Sequence, residues 1–243
     1  FASPHSGRRL PKDFIEAARW PAPKLAERIG RLEDRYVDEL FDGVWNFGGV
    51  YLKALVHRAY VDLNREPYEL DQSMFADMLP EYANTRSPRV LAGLGAIARA
   101  AGEGGDIYAR KLSLGDLETR LERVHRPYHD VTHAILQDLR AQFGFAVLLD
   151  CHSMPSGQPR KPADIVLGDR YGAPCAPWVT DLAQEILGGL GFSVARNNPY
   201  AGGYITQTYG APKRQVHALQ LELRRDLYMD EETLEKHEGF ERV

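Results

Sequence analysis

The stretch Ala146-Val-Leu-Leu-Asp-Cys-His152-Ser-Met-Pro-Ser156 constrains this chain more than any other. Four apolar residues in a row read as a strand buried on both faces, with a polar cluster following at its carboxyl end. Open α/β sheets gather ligands and catalytic groups at that end. His152 is therefore a candidate metal ligand on position alone. The other reading is a histidine that closes a strand-to-loop hydrogen bond.

The neighbouring patterns extend this reading. A helix from about Leu117 to Phe143, with Leu117, Leu121, Val124, Tyr128, Ile135 and Leu139 as its inward stripe, is stopped by Gly144 and feeds a strand over 145–150. Further helices are predicted over Phe14–Ala18, Lys24–Phe41 and Trp178–Leu187, and a short acidic one after Tyr228. Further strands are predicted over Ala59–Leu63, Asp164–Leu167, Phe192–Ala195 and Val216–Leu223. Residues 1–12 read as loop. Residues 66–110 read as an irregular insertion punctuated by Pro80, Pro88 and Gly104-Gly105, and 200–210 as a flexible aromatic loop. Strand and helix alternate, so the fold class is α/β: a mixed, mostly parallel sheet flanked by helices, in a single domain over 1–243.

Composition narrows the partners. Apolar residues make up 44% and charged residues 26% of the chain, as in ordinary globular proteins. A net charge of −4 gives no reason to expect nucleic acid or an anionic membrane, and no apolar run approaches the roughly 20 residues of a bilayer span. Cys151 and Cys175 are too few for a disulfide scaffold, so a reducing, cytoplasmic compartment is expected. Oligomeric state is not legible.

Four polar clusters lie at the ends of apolar segments: Pro4-His5-Ser6-Gly7-Arg8, Asp62-Leu-Asn64-Arg65, Asp150-Cys-His152-Ser153 and Leu221-Glu222-Leu223-Arg224-Arg225. Each alone has a plain reading: a solvated loop histidine for His5, a turn with an ion pair for Asn64-Arg65. Glu222 is harder to set aside. A carboxylate inside an apolar strand is costly unless it faces a polar site, and such a position suits a general base with a raised pKa.

Taken in order, these clusters resemble the N-formylglutamate amidohydrolase family, itself related to the zinc carboxypeptidases. The resemblance covers nearly the whole chain. It also draws on the acidic helix containing Asp34, on Pro127-Tyr128-His129, on Gly202-Gly203-Tyr204-Ile205-Thr206 with Tyr209-Gly210, and on Leu227-Tyr228-Met229. It implies a zinc-carboxypeptidase-like fold and a Zn²⁺-dependent amide hydrolase with His5 and His152 as imidazole ligands. The carboxypeptidases place a glutamate three residues after the first ligand histidine, where this chain has Arg8, which cannot ligate zinc. The family carries an aspartate where Asp34 stands, so Asp34 is the third ligand implied, with Glu33 and Asp38 as fallbacks.

The chemistry implied follows from charge. Zinc lowers the pKa of water from 15.7 towards ~7 and polarises a carbonyl. Glu222 would take the water's proton and return it to the departing amine. Asn64-Arg65 matches the pair with which the carboxypeptidase relatives hold a substrate carboxylate, a task suited to the planar guanidinium fork. Arg58 also matches a family arginine and would serve the carboxylate or the oxyanion. Tyr204 and Tyr209 would cap the substrate, or simply pack. The expected partner is a small N-acyl amino acid, with N-formyl-L-glutamate leading. The alternatives are a metallo-amidase or carboxypeptidase acting on another N-acyl amino acid or a small peptide, and a metal-free ligand-binding relative.

Two other constellations are weaker. His125, His129 and His133 recur along one helical stripe but lack a carboxylate on it, and His129 is expected instead to orient a neighbour. Cys151 adjoins His152, yet alternation along a strand sends its side chain to the opposite face, so it is rejected as a nucleophile.

Overall fold

Six strands form one sheet: β1 (Ala2–Ser3), β2 (Leu52–Lys53), β3 (Ala146–Met154), β4 (Ile165–Gly168), β5 (Val194–Arg196) and β6 (Val216–Arg224), in the order β2-β1-β3-β6-β4-β5. These come from a computed structural model that describes residues 1–101, 105–157 and 162–243. Gly104 of the expected Gly104-Gly105 pair, and residues 158–161 of the loop after β3, lie outside the described residues. All pairings are parallel except β4 with β6. The sheet is thus mixed and mostly parallel, as expected. The helices are α1 (Lys12–Ala17), α2 (Ala22–Ile29), α3 (Val37–Leu40), α4 (Pro88–Leu91), α5 (Leu114–Arg120), α6 (Arg126–Phe143), α7 (Pro177–Gly189) and α8 (Tyr204–Tyr209). Among the described residues no helix is long and apolar enough to cross a membrane.

The chain divides into two compact units, residues 1–3, 34–53 and 132–243 in one and 4–33 and 54–131 in the other. The first holds the sheet. At its centre β3 and β6 pair over their full lengths, from Ala146 opposite Val216 to Met154 opposite Arg224. Because side chains alternate, this register sorts the two strands into faces. Leu219, Leu221 and Leu223 pack with Val179 of α7 and with Cys175, Tyr228 and Met229. Asp150, His152, Gln220 and Glu222 fall on the opposite face. Each fully buried leucine on the apolar side contributes ~1.5–3 kcal/mol relative to exposure.

The second unit is built from short helices and irregular chain around Phe14, Leu25, Ile29, Tyr60, Phe75, Ile97, Leu112, Leu117 and Leu121. Its loops carry much of their hydrogen bonding through side chains, as the Asp71 carboxylate capping Ser73 illustrates.

Several predicted boundaries move. The helix expected over Lys24–Phe41 ends at Ile29, continues as a 3₁₀ turn to Leu32 and breaks before α3, with Tyr36 at φ 66°. Apolar spacing carries on through the break, but the backbone turns extended at Glu33 and left-handed at Tyr36. Ala59–Leu63 is buried but is not a strand. Its Asp62 amide bonds to the Ala96 carbonyl and its Tyr60 carbonyl takes Arg120, so core contacts replace a ladder. The Leu117–Phe143 helix is interrupted by a π turn over Leu121–His125. β3 runs past Asp150 to Met154, so His152 lies within the strand rather than after it. Residues 204–209 form α8 instead of loop, Ala2–Ser3 is a strand, and after Tyr228 there is only a 3₁₀ turn at Phe240–Arg242.

Candidate metal centre

The parallel register places His152 directly opposite Glu222, with Asp150 opposite Gln220 one step back on the same face. All four side chains are buried. The Gln220 amide donates to Glu222 Oε1 at 2.7 Å and accepts from the Gly203 N–H at 2.8 Å, tying the start of α8 to the carboxylate. Gly203 reaches that position because Gly168 of β4 has no side chain: a Cβ there would lie 2.7 Å from the Gly202 nitrogen. Burial pushes the Glu222 pKa up to about 7; His152 opposes this, while the Asp34 and Asp150 charges reinforce it.

Asp34 sits in the break between the 3₁₀ turn and α3. Its Oδ2 is 2.9 Å from His152 Nδ1, and its Oδ1 accepts from Ser153 Oγ at 3.1 Å and from Arg225 Nη2 at 3.3 Å. Arg225 Nε in turn donates to Ser153 Oγ at 3.0 Å. Had the helix continued, Asp34 would have been one more exposed acid. The other ring nitrogen of His152 lies 3.0 Å from Asp150 Oδ1. Burial disfavours charge on this ring, but a carboxylate at each nitrogen outweighs it and raises the His152 pKa well above its usual value.

His5 follows Ser3 of β1 by two residues. Its Nε2 lies 2.7 Å from Asp62 Oδ1. A carboxylate only accepts, so Nε2 carries a proton, and in the neutral ring Nδ1 then carries the lone pair. Asp62 also accepts from Arg58 Nη2 at 2.6 Å and Nε at 3.1 Å, and from the Asn64 N–H at 2.8 Å. Burial works against the charge of Asp62, but Arg58, His5 and Arg65 outweigh it and hold the carboxyl well below its ordinary range. Arg65 donates from Nη1 to the Asn64 carbonyl at 2.8 Å and from Nε to the Leu94 carbonyl at 3.2 Å. Among the described residues no carboxylate is in ion-pair contact with it, and burial lowers its pKa to about 10.

One donor atom from each of His5, Asp34 and His152 lies within 4.8 Å of the others, and all three residues are buried. Two imidazoles and one carboxylate are a zinc-type donor set. The carboxylates Asp34, Asp150 and Glu222 gather around His152, with Arg225 on Asp34, a concentration of negative charge that a divalent cation would help to neutralise. A metal taken up by Asp34 and Nδ1 would displace the imidazole proton held between them. The residues present fit a zinc ion.

The other expected residues are placed as follows. Glu33 is buried and Asp38 partly so, but neither joins the donor group. Tyr209 is buried on α8 and Tyr204 half-buried at its start. The histidine stripe is otherwise engaged: His125 and His129 meet backbone carbonyls, and His133 meets Gln137. Cys151 is buried opposite Leu221. Sequence reasoning named Asp62 and Asp150 but gave them no role. The Asp150 signal was available, since residues two apart on a strand share a face. For Asp62 with His5 there was none.

The profile of the N-formylglutamate amidohydrolase family matches residues 1–229. The chain is 32% identical over 235 residues to the N-formylglutamate deformylase of Pseudomonas putida, covering 94% of this chain and 80% of that one. It is 31% identical over 238 residues to that of Pseudomonas aeruginosa, covering 94% and 81%. The crystal structure of N-formylglutamate amidohydrolase from Ralstonia eutropha JMP134 superposes with a TM-score of 0.90 at 36% identity, covering 99% of this chain and 86% of that one.

Proposed function

The chain belongs to the N-formylglutamate amidohydrolase family, and from that premise we propose that it hydrolyses N-formyl-L-glutamate to formate and L-glutamate with Zn²⁺ held by His5, Asp34 and His152. The observation that carries this reading is the buried donor trio with Glu222 in register beside His152. When bound, zinc supplies a Lewis acid that acidifies water and polarises a carbonyl.

The chain's own groups do the rest. Glu222 removes the proton of the attacking water and returns it to the amide nitrogen as the C–N bond breaks. Gln220 occupies Oε1, so Oε2 is the oxygen that handles the proton. Asp62 and Asp150 fix the tautomer and orientation of the two ligand histidines. Arg65, a buried cation whose hydrogen-bond partners among the described residues are carbonyls, offers Nη2 to a substrate carboxylate alongside Asn64. Arg58 has Nε and Nη2 committed to Asp62, so an oxyanion would be met by Nη1, in exchange for the Leu32 carbonyl. Tyr204 and Tyr209 close the substrate pocket.

Elemental analysis and a formate-release assay test the reading together. Purified protein should carry about one zinc per chain, release formate from N-formyl-L-glutamate faster than acetate from N-acetyl-L-glutamate, lose activity to a chelator and regain it with Zn²⁺. A protein that neither retains zinc nor releases formate would refute it.

A further inference from the structure

At Leu63-Asn64-Arg65 three successive peptide carbonyls lie in an irregular, buried turn with no strand beside it. Each is taken by a side chain. The Asn64 carbonyl accepts from Arg65 Nη1 at 2.8 Å. The Leu63 carbonyl lies 3.0 Å from His129 Nε2, and the Arg65 carbonyl 3.1 Å from His125 Nε2. Carbonyls only accept, so both rings carry their proton at Nε2. The rings stack against each other, with centroids 4.3 Å apart and planes at 34°. Burial lowers both pKa values, that of His129 to about 3, so the two remain neutral single donors at neutral pH.

The placement of the donors has a cause in the helix. His125 closes the π turn over Leu121–His125 and His129 follows in the first turns of α6, one helical turn on. Such turns recur at functional sites because they re-aim side chains. An apolar residue would fill either position equally well. A side-chain N–H is what satisfies a buried carbonyl, and a rigid ring also fixes its direction. The amide side of the same turn is pinned as well, Asn64 N–H to Asp62 Oδ1 and Asp62 N–H to the Ala96 carbonyl. The three carbonyls of the turn and the Asn64 N–H are therefore all held.

We propose that His125 and His129 are positioning residues that set the Asn64-Arg65 pair for its carboxylate; this rests on the reading above that the pair binds substrate. Neither ring need touch the substrate. They act by holding the peptide planes on either side of Asn64, and a slack turn loses carboxylate affinity rather than chemistry.

The test compares His129→Phe and His125→Phe with wild type. The readouts are zinc content, kcat and KM for N-formyl-L-glutamate, and equilibrium binding of L-glutamate. Losing one buried hydrogen bond of this kind is expected to raise KM and the L-glutamate Kd about fivefold or more. Zinc content should stay unchanged and kcat within about threefold. Because Phe can cost the fold, His129→Gln and His129→Met form a second pair, alike in length and differing in the N–H. Here KM should be about fivefold higher for Met than for Gln. Unaltered KM in the Phe variants, or equal KM for Gln and Met, overturns the proposal. Arg65→Lys, run alongside, separates the two readings. If it leaves KM and L-glutamate binding unchanged, the substrate role of the pair is wrong. If it raises them while the histidine variants do not, only the positioning role is wrong.

Discussion

Glu222 stands opposite His152 in the parallel β3–β6 register, so a candidate base and a candidate ligand are neighbours on adjacent strands although most of unit 1 separates them in sequence. The strand pairing, rather than any loop, sets their spacing. Strand-borne side chains are held more rigidly than loop-borne ones, which suits a proton transfer that tolerates little misplacement.

Glu222→Gln should leave zinc bound and lower turnover by ~10²-fold or more, the usual loss when a general base is removed. Formate release under saturating substrate measures it. Wild-type turnover in that variant would take Glu222 out of the mechanism.

The pH profile follows from the same carboxyl. Its pKa is raised by burial to about 7, and a base must be ionised, so kcat/KM should fall as pH drops through that region, about tenfold per unit. A bound cation favours the ionised form, which makes about 7 the upper limit for this acid limb. A rate that rises on acidification contradicts the assignment.

Stability of the metal-free protein should show the opposite face of that shift. Folding raises the Glu222 pKa from 4.5 to about 7, so its stabilising contribution is full below 4.5 and is lost as pH rises through about 7. Metal-free Glu222→Gln should therefore gain in Tm over metal-free wild type near pH 8 and show no such gain near pH 4. Equal differences at the two pH values would show that the carboxyl does not titrate as stated.

Asp62→Asn and Asp150→Asn should each weaken zinc binding by ~10–100-fold, because each acid lies against a ring nitrogen of one of the proposed ligand histidines. Competition with a chromophoric chelator reads this directly. Unchanged zinc affinity in both would mean that the rings are oriented by packing alone.

Leu219→Ala removes a fully buried side chain from the apolar face of β6 and should cost about 2–5 kcal/mol in urea unfolding while zinc stoichiometry stays the same. Loss of zinc together with stability would show that the two faces of the strand are not independent.

Much of the site could be read locally. The apolar runs at 146–149 and in 216–223 mark the two central strands, and a period of two puts Asp150 with His152 and Gln220 with Glu222 on shared faces. The errors came where an apolar pattern persisted without the structure it suggests. Leu25, Ile29, Leu32, Tyr36 and Leu40 keep helical spacing across a broken helix. Ala59–Leu63 is as apolar as a strand but lies in a buried turn.

The sequence by itself determined which segments are apolar, which face each strand offers, and which side chains can bind a metal or move a proton, because these depend on residue type and on neighbours a few positions away. Only the tertiary structure decided that β3 lies beside β6, that Asp34 meets the ring of His152, and that Asp62 takes the ring of His5. Those pairings join distant segments through the burial and hydrogen bonding of the whole fold. No local spacing records them.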